Sequence, residues 1–217
     1  MFLGHFAMGF AAKAAAPKTS LGATVLAAMA ADLLWPTLLL LGIERARIQE
    51  GITRVMPLDL EYYPFSHSLL SVAVLGVLIG GGYWVLRRDV RGAVVLGLAV
   101  LSHWVLDAVS HRPDMPLAPG VDLRVGLGLW DSVPGTVATE VLLLTAGLGL
   151  YLWCTSARDG IGRWALWAFV AFLCMGFAGN IAGTQPPDMQ TVAWVGQSAW
   201  LLVAWAWWID RHRDVRP

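Results

Sequence analysis

Six long runs of almost uncharged residues constrain this chain more than any other feature in it. They cover residues 20–42, 66–86, 92–111, 134–154, 163–180 and 191–209, and Arg, Asp, Pro and Gly collect in the breaks between them. A helix needs about 20 apolar residues to cross the hydrocarbon core of a bilayer. Inside that core every backbone N–H and C=O must be bonded within the protein, so only helices and closed barrels can span it. Runs of this length predict helices. The expected fold is therefore all-α, a polytopic transmembrane helical bundle forming one membrane domain over residues 1–217. Residues 1–16 predict a further helix, Ala-rich and ending before Pro17, about 22 Å long and nearly spanning. No basic stretch precedes its apolar part and it carries His5 and Lys13, so it is expected to belong to the mature bundle.

Composition agrees with this reading. At 57% hydrophobic and 14% charged, the chain is well short of the roughly 25% charge of a soluble domain. It is also too aromatic and too poorly charged to be disordered. Its formal net charge of +0 offers no electrostatic attraction for nucleic acid, and the expected partner is the lipid bilayer. Ten basic residues (Lys13, Lys18, Arg87, Arg88, Arg91, Arg158, Arg163, Arg211, Arg213, Arg216) fall on one side of the predicted topology, and five (Arg45, Arg47, Arg54, Arg112, Arg124) on the other. The excess predicts a cytoplasmic C-terminus. Tyr62, Tyr63, Trp84, Trp130, Trp153, Trp164 and the Trp207–Trp208 pair lie near span ends, where interfacial aromatic belts form. Cys154 and Cys174 show no metal-binding spacing and are expected to be packed thiols.

Ionisable residues are few inside the six runs: Asp32, His67, His103, Asp107, His111 and Glu140, apart from Arg163 at an edge. Such groups are costly at membrane depth and mark function by default. The predicted topology brings all six, with His5, into the outer half of the bundle. His103, Asp107 and His111 are spaced by four, which sets neighbours on one helix face with a drift of about 40° per step. A His and a carboxylate one turn apart can share a metal ion, or the carboxylate can orient the imidazole. Pro36, four residues after Asp32, is expected to kink its span. Ser66 or Ser68 is expected to cap the helix that begins at His67. Glu140 and His111 are expected as general base or additional ligand, and Asp114 and Asp131 as structural loop residues.

Four stretches, Gly4-His5-x3-Gly9, Ala31-Asp32-Leu-Leu-Trp-Pro36, Phe65-Ser66-His67-Ser68 and Ser102-His103-x3-Asp107, give the chain a resemblance to a bacterial family of membrane-bound metal-dependent hydrolases (YdjM-like). That family is itself similar in motif to zinc-dependent phospholipase C. The stretches come in the family's order and cover roughly the first half of the chain. The resemblance implies a bacterial inner-membrane hydrolase with a metal site built from His5, Asp32, His67, His103 and Asp107. The chain departs from the family where Ala31-Asp32-Leu33-Leu34-Trp35 stands in place of Pro-Asp-x-Asp-His. It departs again where Tyr62-Tyr63-Pro64 stands in place of His-Arg-Gly, and both differences favour a single metal, or a degenerate site, over a multi-metal centre. Imidazole and carboxylate donors without thiolate suit zinc, with manganese or iron as alternatives. An ion with an open position activates water and polarises a substrate. The expected substrate is lipidic or amphipathic, a phosphoester of a lipid being the simplest case, reached from the outer, periplasmic side. Three other readings use the same residues: an ion or proton transporter, a haem protein with histidine axial ligands, and a structural subunit locked by polar contacts.

Overall fold

The computed structural model describes residues 1–216, and most of them are helical. In chain order the elements are α1 (Leu3–Ala15), α2 (Leu21–Ala28), α3 (Ala30–Leu40), β1 (Arg45–Ile48), β2 (Leu58–Tyr62), α4 (Pro64–His67), α5 (Leu69–Arg87) and α6 (Val90–Ser110). There follow β3 (Met115–Pro116), β4 (Arg124–Val125), α7 (Val133–Cys154), β5 (Thr155–Ala157), α8 (Gly160–Ala182), α9 (Met189–Gln197), α10 (Ala199–Arg211) and β6 (Arg213–Val215). Five helical segments are long and apolar enough to cross a membrane: α5, α6, α7, α8 and the α9–α10 segment Met189–Arg211. The helix pair α2 and α3 also meets the test when taken together, but it is bent by 56°.

The bend corrects the expectation of a helix over 20–42 kinked at Pro36. The break falls at Met29, and α3 continues through Pro36. Helix α9 leans on the proline so closely that a Cβ on Gly196 would lie 2.6 Å from Pro36 Cγ. The expected run 66–86 is also divided. Ser68 is extended and its hydroxyl accepts from the Ser71 N–H, starting α5 after the short α4. The run 191–209 is interrupted at Ser198. Three two-stranded antiparallel pairs, β1–β2, β3–β4 and β5–β6, close loops outside the long helices.

Helix α1 is central. Leu3, Phe6 and Phe10 are fully buried and pack with Tyr151, Leu166 and Phe169 from α7 and α8. A helix apolar on every side is the kind that a protein encloses. Its neighbour α7 approaches so closely that a Cβ on Gly147 would sit 2.3 Å from the Ala7 carbonyl oxygen. Leucines and valines on the far faces, such as Val77, Leu78, Leu86, Leu142 and Leu201, are exposed, as lipid-facing positions are. Cys154 is buried and Cys174 exposed, so only the first is a packed thiol. At the opposite end from the site described below, buried Lys13 pairs with Asp210 at 3.0 Å. There too Arg213 is held by Thr155 and by the Gly162 carbonyl.

Candidate metal centre

The polar centre is assembled from four helices. Helix α6 supplies His103 and Asp107, with His111 immediately after its last turn, and all three are buried. Helix α4 contributes His67, α3 contributes Asp32 and α1 contributes His5. His103 Nε2 lies 3.1 Å from Asp107 Oδ2 and 3.6 Å from Asp32 Oδ1. His67 Nε2 lies 3.4 Å from Asp32 Oδ1 and 3.9 Å from Asp107 Oδ2. Donors bound tetrahedrally to one ion at about 2.0–2.1 Å are about 3.4 Å apart, so these separations straddle the edge of such a polyhedron. His5 takes the other oxygen, with Nε2 3.0 Å from Asp107 Oδ1 and its ring stacked on that of His103 at 3.7 Å. The Met1 nitrogen also lies against Asp107 Oδ1 and is 3.1 Å from His5 Nε2. Two overlapping sets, His5–His103–Asp107 and Asp32–His67–His103, have donor atoms all within 4.8 Å of one another.

Three of the imidazoles are fixed from behind. His103 Nδ1 is 2.8 Å from the Ala28 carbonyl, at the break between α2 and α3. His67 Nδ1 is 2.7 Å from Ser66 Oγ, which in turn donates to buried Glu44 at 2.6 Å. His111 Nδ1 is 3.1 Å from Asp114 Oδ1. An acceptor at Nδ1 selects the tautomer that carries its proton there and leaves a lone pair on Nε2. Metal-binding histidines are oriented in this way. His103 Nε2 is buried and has no hydrogen-bond partner among the described residues, although two carboxylates flank it. A buried orphaned nitrogen is costly, and a cation between those donors would satisfy it. The residues present therefore fit a divalent metal.

The remaining expected residues take different places. Glu140 is buried, but its Oε1 accepts from the Phe2 N–H at 2.8 Å and its Oε2 from the Gly4 N–H at 2.7 Å. Both oxygens thus tie down the start of α1, a geometry that suits an anchor better than a base. Asp114 is not merely a loop residue, since it accepts from His111, from Arg112 Nε at 3.0 Å and from the Tyr63 hydroxyl at 3.1 Å. Burial raises its pKa, yet these donors hold the carboxyl below the ordinary carboxylate value. Burial, with Asp114 beside it, pushes the Tyr63 hydroxyl far up, which keeps it a donor. Tyr63 and Trp130 were expected in an interfacial belt. Both are buried instead, with the Trp130 ring 4.2 Å from that of His111. Asp131 is exposed in a single 3₁₀ turn, Leu129–Asp131.

A cavity of about 140 Å³ opens onto these donors. Its lining includes the polar side chains of His5, Asp32, His67, Asp107 and His111 and the apolar ones of Trp35, Met56, Leu58, Leu60 and Phe177. Met56 comes from the segment joining β1 to β2, and Leu58 and Leu60 come from β2 itself. Of the donor carboxylates Asp32 is the more accessible, its side chain 32% exposed against 3% for Asp107.

No protein-family model matches the chain, and no curated protein or solved structure matches it. The functional reading therefore rests on the geometry and the sequence pattern. The sequence pattern named the histidines and aspartates that meet here and missed what surrounds them: Glu44, the Ala28 carbonyl, the pairing of Asp114 with His111, and the lining residues Val55, Met56, Leu58 and Leu60. Glu44 lies in a charged break with no local pattern to distinguish it. The Asp114 signal was present, since His111 and Asp114 stand three apart just past a helix end.

Proposed function

We propose that this protein is a membrane-embedded, metal-dependent hydrolase related to the YdjM-like family. In this reading it acts on a lipidic or amphipathic ester, phosphoesters included. It would lie in a bacterial inner membrane with six spans, the bent α2–α3 pair counting as one, with a cytoplasmic C-terminus and the centre facing the outer side. The observation that carries the reading is that His67 Nε2 and His103 Nε2 each lie 3.1–3.9 Å from both Asp32 Oδ1 and Asp107 Oδ2, with both imidazoles tied at Nδ1.

Asp32, His67, His103 and Asp107 would hold the ion, with His5 on the second oxygen of Asp107. Zinc suits this donor set, and manganese or iron also fits it. When bound, such an ion activates water and polarises a carbonyl or phosphoryl oxygen. The chain itself does the rest. Ser66 with Glu44, and the Ala28 carbonyl, keep two imidazoles in the binding tautomer. The apolar part of the cavity lining, Trp35, Met56, Leu58, Leu60 and Phe177, receives a hydrocarbon portion, and the polar ester lies toward Asp32 and Asp107.

Metal analysis of the purified protein tests the reading. The wild type is expected to carry stoichiometric divalent metal, and His103→Ala and Asp107→Ala to lose it. Chelator-sensitive hydrolysis of fluorogenic lipid esters and phosphoesters tests the activity. A wild type without stoichiometric metal overturns the proposal.

A further inference from the structure

His111 is not used by the four-donor centre, yet everything around it points its free nitrogen there. It follows Asp107 by four residues, and its N–H bonds to the Asp107 carbonyl at 2.8 Å, so His111 caps α6 directly above Asp107. Its own carbonyl accepts from the Gly128 N–H at 2.7 Å, which pins the backbone from the other side. Its ring lies against Trp130. Nδ1 is taken by Asp114, and Nε2, at the opposite end of the ring, lies 4.0 Å from Asp107 Oδ2. Asp114 is held in turn by Tyr63 and by Arg112, which also pairs with Asp59 of β2.

We propose that His111 is a further nitrogen ligand of the centre, and that Asp114 is the residue that positions it. This rests on the metal-centre reading above and extends the donor set beyond four. The 4.0 Å between His111 Nε2 and Asp107 Oδ2 nearly equals the 3.9 Å between His67 Nε2 and the same oxygen, so His111 stands as near that carboxylate as a donor already counted in the centre. The same chain of contacts, Asp59 to Arg112 to Asp114 to His111, ties β2, which supplies Leu58 and Leu60 to the cavity lining, to the proposed ligand.

The test is metal affinity by chelator competition together with the visible spectrum of the cobalt(II) form, on the full chain in detergent. The expected result for His111→Phe, which keeps a ring against Trp130, is affinity reduced roughly tenfold or more with altered cobalt bands. Loss of a residue that orients a ligand typically weakens metal binding about 10–100-fold, so Asp114→Ala should fall in that range. Asp114→Asn retains an oxygen acceptor for Nδ1–H and should recover most of the affinity. Wild-type affinity and an unchanged cobalt spectrum in His111→Phe overturn the ligand role while leaving the four-donor centre standing. Unchanged affinity in Asp114→Ala overturns the positioning role. Absence of metal binding in the wild type removes the centre itself, which is a different failure.

Discussion

His103 Nδ1 donates to the carbonyl oxygen of Ala28 across the bend between α2 and α3, at 2.8 Å. In an unbroken helix that carbonyl would accept from the N–H four residues on. The bend releases it and gives it to the imidazole, so the irregular backbone and the orientation of a proposed ligand are one feature. Non-helical backbone at membrane depth is tolerated where it is buried in protein, and Ala28, Met29 and Ala30 are buried here.

Metal added to the purified protein should raise its thermal stability. A ligand that binds only the folded state at a hundred times its Kd contributes about 2.7 kcal/mol. His103→Ala is expected to lose this metal-dependent increment whatever its stability without metal. Melting curves with and without zinc, in detergent, read the difference directly.

Ser66→Ala removes the acceptor for His67 Nδ1 and the donor to Glu44 Oε2, while Glu44 Oε1 keeps the Phe65 and Ser66 N–H groups. Metal affinity should fall about 10–100-fold, and Ser66→Thr, which keeps the hydroxyl, should be close to wild type. Equal affinities for Ser66→Ala and the wild type would show that Ser66 does not orient the ligand.

Glu140→Ala leaves the N–H groups of Phe2 and Gly4 unpaired inside the protein. Each such buried donor costs about 1–3 kcal/mol, and the loss should appear in denaturant unfolding. Metal affinity should change less than in His103→Ala, because the two oxygens serve α1 and not the ion. If Glu140→Gln abolished metal binding at unchanged stability, Glu140 would be a ligand after all.

Acid should loosen the far end of the bundle before the centre's scaffold unfolds. Asp159 accepts from His212 Nδ1 at 2.7 Å and from the Gly162 N–H at 2.8 Å, and these bonds lower its pKa. A carboxyl with a depressed folded-state pKa contributes stability that is complete above its unfolded value and lost as pH falls through the folded one. Hydrogen exchange at the start of α8 and the end of α10 should therefore accelerate below the ordinary carboxylate range. Asp159→Asn should remove that acid step; persistence of the step in the variant would assign it elsewhere.

The sequence by itself determined the helical class, the charged and Pro- and Gly-rich breaks that separate the long helices, and the short roll of ionisable residues in apolar surroundings. All three follow from local physics: apolar run length, turn chemistry, and the cost of charge in lipid. It also placed His103 and Asp107 on one face, because a spacing of four needs no tertiary information. What only the tertiary structure decided was partnership. Pro36 was the visible helix breaker, yet the chain bends at Met29, where His103 of another helix takes the released carbonyl. Glu140 was an isolated carboxylate in an apolar run, and its role came from the N-terminus of α1 arriving beside it. Glu44, Asp114, Tyr63 and Trp130 stood in loops or near span ends, and packing drew them behind the centre. Composition and periodicity report what each residue costs where it stands, whereas a hydrogen-bond partner more than a hundred residues away is fixed only when the helices pack.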